Sequence, residues 1–134
     1  MLSFEHSLKV RYVECDPMQR AHHSSYLIWF EESRIELLNH LNLPYEQLEF
    51  NGYFIPVIEA SIQYIKPTQL NDKLNIRIEL KEKPKLRFSF NYSLKKDDEI
   101  IAKGSTKHVF INHKNSVIRP PESFQKAICD FWSP

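Results

Sequence analysis

The stretch Tyr12–Arg34, YVECDPMQRAHHSSYLIWFEESR, decides how the whole chain is read. An acid, a proline and two histidines stand directly before the longest apolar run of the sequence. Val13–Ser24 reads as a loop, interrupted early by Pro17. From Ser25 to Leu41 the apolar period becomes helical. Leu27, Ile28, Phe30, Ile35, Leu37, Leu38 and Leu41 fill a broad arc, with Ser25, Glu32, Glu36, Asn39 and His40 opposite. Ser24 or Ser25 can cap the start of this helix. Asn42 and Pro44 close it.

Outward from the helix, the residues alternate as strands do. Phe4, Leu8, Val10 and Tyr12 share a face with His6, so Phe4–Tyr12 is expected to be a half-buried strand with Tyr12 on its apolar side. Downstream, Ile58–Tyr64, Leu74–Leu80, Leu86–Leu94 and Ile100–Ile111 form four more alternating runs. The segments between them carry turn residues. A short helix is expected near Glu122–Phe131, after Pro120–Pro121. A strand, one long helix with a wide apolar arc, then four antiparallel strands predict an α+β layer in which the sheet wraps a single central helix.

The totals exclude several function classes. With 134 residues, the expectation is one domain spanning 1–134. Hydrophobic content of 42% and aromatic content of 13% argue against disorder. Eighteen basic against 17 acidic residues leave a net charge of +1, too weak a field to gather nucleic acid or an anionic membrane. No apolar run approaches the roughly 20 residues that span a bilayer. The first residues alternate like a strand and have no signal-peptide core. The two cysteines, Cys15 and Cys129, are too few for a disulfide framework and suit a reducing cytoplasm. Glycine occurs only at positions 52 and 104, so there is no Gly-rich phosphate loop. No G-x-S-x-G elbow is present either.

Chemistry is most concentrated around the helix start. Asp16 reads either as a nucleophile or general base or as a solvated acid in an Asp-Pro turn. The first N–H groups of the helix, Ser25–Ile28, lack internal partners and can hold a developing oxyanion. His22 and His23 lie between the two; either can orient the acid or relay a proton, or simply cap the helix. Tyr12 needs a hydroxyl partner if buried, and Asp16 or a histidine could supply it. Glu31 and Arg34 point into the apolar arc, where they read as an i, i+3 ion pair or, for Glu31, as a second catalytic acid. Cys15 has no evident pKa-lowering neighbour. Lys83, Lys85, Arg87, Lys103 and Lys107 form the densest basic zone, either a phosphate grip or a solvated strand face. The histidines lack metal-site spacing, so no metal is expected.

These residues resemble a known signature. Arg11-Tyr12, Asp16, His22-His23-Ser24-Ser25-Tyr26 and Trp29-Phe30-Glu31-Glu32-Ser33-Arg34 look like hotdog-fold acyl-CoA thioesterases, in particular the 4-hydroxybenzoyl-CoA thioesterase family and its branch associated with the Tol–Pal envelope system. The likeness continues through FIPVIEASIQYIKPTQLNDKLNIRIEL (Phe54–Leu80) and LRFSFNY (Leu86–Tyr92). It implies a five- to six-stranded antiparallel sheet curled round the long helix, and a homodimer or homotetramer with substrate at the subunit interface. It implies Asp16 as the catalytic aspartate, a helix-start N–H at position 23 for the thioester oxygen, and Tyr12 and His23 as assistants. Glu31 is the secondary candidate acid. Tyr26, Lys85 and Arg87 fall at substrate-binding positions, the last two where relatives hold the phosphates of coenzyme A. The activity implied is hydrolysis of an acyl-CoA to free acid and coenzyme A, with no cofactor beyond the substrate.

One position departs from the pattern. Gln19 stands where the family carries glycine, three residues after Asp16. Glutamine does not readily accept positive φ or close backbone approach, so the loop is expected to take another path. That departure keeps two further readings open: an acyl-carrier-protein thioesterase, and a non-catalytic module that binds acyl-CoA.

Overall fold

The computed structural model describes residues 1–134. In chain order the elements are β1 (Leu2–Lys9), a 3-10 turn (Tyr12–Glu14), α1 (Ser25–His40), α2 (Tyr45–Phe50), β2 (Val57–Tyr64), β3 (Lys73–Leu80), β4 (Arg87–Lys96), β5 (Glu99–Ile111), β6 (Val117–Ile118) and α3 (Glu122–Asp130). The strands form one antiparallel sheet in the order β1-β3-β4-β5-β2, with the short β6 also on β5. This is the hotdog arrangement, with α1 packed against β3 and β1 of the sheet.

Period-two alternation builds that face. Leu74, Ile76, Ile78 and Leu80 of β3 are buried, as are Phe88, Phe90, Tyr92 and Leu94 of β4. Burying each such side chain contributes about 1.5–3 kcal/mol. The helix docks through Phe30, whose ring stacks on Tyr92 at 4.2 Å between centroids. Gly104 of β5 makes room for it, since a Cβ there would stand 2.5 Å from the Phe30 ring and 2.8 Å from the Ser61 carbonyl.

Three expectations need correction, and two elements are added. β1 stops at Lys9, and Tyr12 sits in the 3-10 turn with 78% exposure instead of on an apolar strand face. The buried side of α1 is Ser25, Tyr26, Trp29, Phe30, Ser33, Leu37 and Leu38, while Leu27, Ile28 and Ile35 face out. The apolar arc is wider than one sheet can cover, so its margin stays uncovered. The strand β2 alternates in sequence, yet only Ile62 is partly buried, because β2 is an edge strand whose free side meets nothing in the chain. The helix α2 and the strand β6 were not legible in the sequence pattern. No helix is long and apolar enough to cross a membrane.

Candidate active site

The segment between the 3-10 turn and α1 closes on itself. The Glu14 carbonyl accepts the His22 N–H at 2.8 Å, Cys15 bridges Ala21, and the Asp16 N–H donates to the Arg20 carbonyl at 2.7 Å. Asp16 therefore stands two ladder steps, roughly 7 Å, from the pair that leads into the helix. A second loop braces this hairpin. The Ala21 N–H donates to the Thr68 carbonyl at 2.8 Å, and the Leu70 N–H to the Gln19 carbonyl at 3.1 Å. Asp72 holds the bracing loop in shape through Thr68, the Gln69 N–H and Lys96. Burial alone would push the Asp72 carboxyl up, but those donors outweigh it and hold the group below its usual range.

Gln19 accepts the backbone conformation that a glycine would favour, the left-handed region, at φ 61°. A non-glycine residue there costs about 1–3 kcal/mol. The turn offsets this with the Gln19 N–H on the Asp16 carbonyl at 2.9 Å, and with Met18 and Arg20 N–H groups on Asp16 Oδ1 at 2.9 and 3.2 Å. The expectation that glutamine would not take positive φ here is thus overturned. Asp16 is half-buried, and its Oδ2 accepts nothing within the chain.

At the helix start the donors divide. His22 takes two of them: its carbonyl accepts the Ser25 N–H at 2.9 Å and its Nδ1 the Ser24 N–H at 3.2 Å. The N–H groups of His23, Tyr26 and Leu27 find no acceptor in the chain. His22 is therefore the capping histidine. His23 is exposed, lies 4.1 Å from the His22 ring, and receives the Tyr64 hydroxyl on its carbonyl at 2.9 Å. Neither Tyr12 nor His23 hydrogen-bonds Asp16. The Tyr26 ring is buried between Trp29 and Tyr64, so only its backbone N–H is offered outward.

Glu31 and Arg34 make no ion pair with each other. Arg34 donates to the Tyr92 hydroxyl at 3.0 Å, which meets Thr106 at 2.6 Å, which in turn meets His108 Nε2 at 2.7 Å. This buried polar chain escaped the sequence reading, although Thr106, His108 and Phe110 alternate onto the inward face of β5. His108 is fully buried and its Nδ1 has no partner. Burial, aided by the Arg34 charge, pushes its pKa down to about 4. The ring is neutral at physiological pH.

Two cavities bear on the site, and Arg34 of this polar chain lines the first. One, of about 490 Å³, is mostly apolar and is lined by Ile35, Leu38, Phe88 and Phe90 with Glu31 and Arg34. The other, of about 390 Å³, is a groove that holds the expected Lys85 and Arg87 together with Lys81, Lys83 and Lys107. Phe88 lines both. Neither is lined by Asp16, Tyr12 or His23. Within one chain, then, the acid and the free N–H groups stand apart from the apolar cavity and the basic groove. No cluster of three or more His, Cys, Asp or Glu side chains is arranged to hold a metal ion.

Sequence reasoning also missed Glu14. It is only 5% exposed, the one buried acid of the segment. Its sole sequence signal is the i, i+3 spacing from Arg11.

Residues 10–128 match the profile of the thioesterase-like superfamily. A candidate esterase of Aquifex aeolicus (strain VF5) is 31% identical over 121 residues, which cover 90% of this chain and 94% of that protein. A candidate acyl-CoA thioesterase of Bacillus subtilis (strain 168), YneP, is 26% identical over 125 residues, covering 92% and 88%. The crystal structure of a hypothetical protein of Thermus thermophilus superposes with a TM-score of 0.91 at 28% identity, covering 99% of this chain and 100% of that one.

Proposed function

Because the chain belongs to the thioesterase-like superfamily, we propose that it hydrolyses an acyl-CoA thioester to free acid and coenzyme A, with Asp16 as the catalytic carboxylate. The observation that carries this reading is the pairing of an acid that has one unengaged oxygen with helix-start N–H groups that have no acceptor. Asp16 Oδ2 either attacks the thioester carbon or draws the proton from an attacking water. The carbonyl oxygen becomes an alkoxide as the new bond forms. N–H groups at His23, Tyr26 and Leu27 point partial positive charge at such an oxygen without reorganising. Collapse of the tetrahedral species expels the thiolate, which is a good leaving group and requires no strong acid; where Asp16 itself attacks, water then cleaves the acyl–Asp16 anhydride, releasing the free acid and restoring the carboxylate. Tyr12 and His23, exposed beside the loop, assist in proton handling; Glu31, in the apolar cavity, is the secondary acid.

The same reading assigns coenzyme A phosphates to Lys85 and Arg87, and the acyl group to the apolar cavity that shares Phe88 with their groove. Asp16 lines neither, so the working site needs a second copy of the chain. The edge strand β2 and the outward apolar residues of α1 are the surface for that homodimer. Free Cys15 and Cys129 suit a cytoplasmic setting. Within the superfamily, the Asp16, His23 and Tyr26 spacing favours the 4-hydroxybenzoyl-CoA group.

Thiol release across short, long and aromatic acyl-CoAs, with an acyl-carrier-protein thioester alongside, tests the proposal. Asp16→Asn is expected to fold normally and to lower turnover about 100- to 10,000-fold. Wild-type rates in that variant would move the catalyst elsewhere. Tight acyl-CoA binding without thiol release would make the chain a binding module.

A further inference from the structure

We infer that Glu14 is a positioning residue for this hydrolysis, clamping the Asp16 loop to the start of α1. The inference rests on the reading of Asp16 given above. Every oxygen of Glu14 accepts at least one hydrogen bond. Its Oε1 takes the Arg11 N–H at 2.8 Å. Its Oε2 takes the Trp29 indole N–H at 2.8 Å and an Arg11 guanidinium N–H at 3.2 Å. Its carbonyl takes the His22 N–H and the Ser25 hydroxyl, both at 2.8 Å. One residue thus joins three pieces: the turn before Asp16, the residues that enter the helix, and the first full turn of the helix itself.

The geometry that catalysis needs is the separation between Asp16 and the free N–H groups, and those belong to different pieces. Ala21 and Leu70 fasten the far side of the hairpin to the Thr68–Asp72 loop, which leaves the helix side to Glu14. A buried carboxylate shared between an indole N–H and a backbone N–H is stiff, because leaving either donor unpaired costs about 1–3 kcal/mol. Displacing a reacting group by about 1 Å costs on the order of 100-fold in rate. Glu14 touches no reacting atom in this scheme. Its effect reaches the reaction only through where it holds Asp16.

Glu14→Gln is the direct test. The amide has one acceptor oxygen, so either the Arg11 N–H or the Trp29 indole faces an NH₂ group. The folded variant is expected to lose about 10- to 100-fold in kcat with KM for acyl-CoA within about twofold, since the basic groove is untouched. Amide hydrogen exchange at His22 and Arg20 is expected to speed up while strands β3 and β4 keep their protection. Trp29→Phe removes the other end of the same link and serves if Glu14→Gln does not fold. The double variant should be no slower than the slower single one. A folded Glu14→Gln enzyme with wild-type kcat, a loss confined to KM, or additive losses in the double variant overturn the inference. A wild type that releases no thiol sinks the hydrolase reading and this inference with it. A wild type that turns over, with Asp16→Asn inactive and Glu14→Gln unaffected, sinks this inference alone.

Discussion

Trp29 and Phe30 of α1 are 1% and 0% exposed, while Leu27 and Ile28, just before them, are 42% and 56% exposed. Hydrophobicity does not separate the two pairs. Their partners do. The inward side finds Tyr92 stacked on Phe30 and a glycine where the ring must sit. The outward side finds nothing in the chain. The edge strand β2 likewise leaves Val57 and Ile58 exposed. One helix thus carries two apolar surfaces, one closed by its own sheet and one open. In an isolated chain the first holds the fold and the second stays exposed to solvent.

The largest effect expected from this contrast is on the inward side. Phe30→Ala removes a fully buried ring and is expected to cost about 3–5 kcal/mol in equilibrium urea unfolding. Ile28→Ala, at low protein concentration, is expected to stay within about 0.5 kcal/mol. Equal losses at the two positions would erase the distinction.

A second test sharpens the inward side through its polar chain. Above pH 6.5 His108 is neutral folded or unfolded; as pH falls, the unfolded chain takes up the proton first, so stability is lost progressively down to the folded pKa of about 4. Between pH 7.5 and pH 5 this amounts to about 2 kcal/mol. His108→Asn, which does not titrate here, should lose that much less over the same interval in urea unfolding. An identical pH response in the two proteins would mean that the ring is not held neutral by burial.

The same contrast explains what the sequence could and could not reveal. Alternation in β3 and β4 shows which residues face inward, because both flanks of those strands are paired and one face is always covered. The run Ser25–Leu41 marks a helix, and α1 ends one residue earlier. Which of its apolar residues are buried was not legible, since Leu27 and Trp29 are equally apolar and only the position of the sheet tells them apart. β2 alternates as well as β3 does, yet lies exposed for want of a neighbour. Around the site, Asp16 and the helix start stood out by residue type. Glu14 did not, because its partners His22, Ser25 and Trp29 lie well downstream, where no local pattern ties them to it. Gln19 misled for the opposite reason: intrinsic preference argued against positive φ, and local hydrogen bonds from the Asp16 turn prevailed.

The smallest effect on a single chain is expected where the consequence for assembly is greatest. Ile28→Asp combined with Ile58→Asp places charge on the open surface without touching the buried core. For a solitary chain such exposed changes are worth about 0.5 kcal/mol or less. If a second copy covers this surface, folding and association are linked, and the wild-type Tm must rise with protein concentration. The charged variant should lose that rise, elute at the mass of one chain in light-scattering chromatography, and fall in thiol release, because Asp16 would no longer meet the groove of Lys85 and Arg87. A variant that keeps the wild-type mass would show that the outward face of α1 is not the surface that copies share. A variant that becomes monomeric yet keeps full turnover would separate assembly from catalysis, and would require that one chain alone bring thioester, acid and helix N–H groups together.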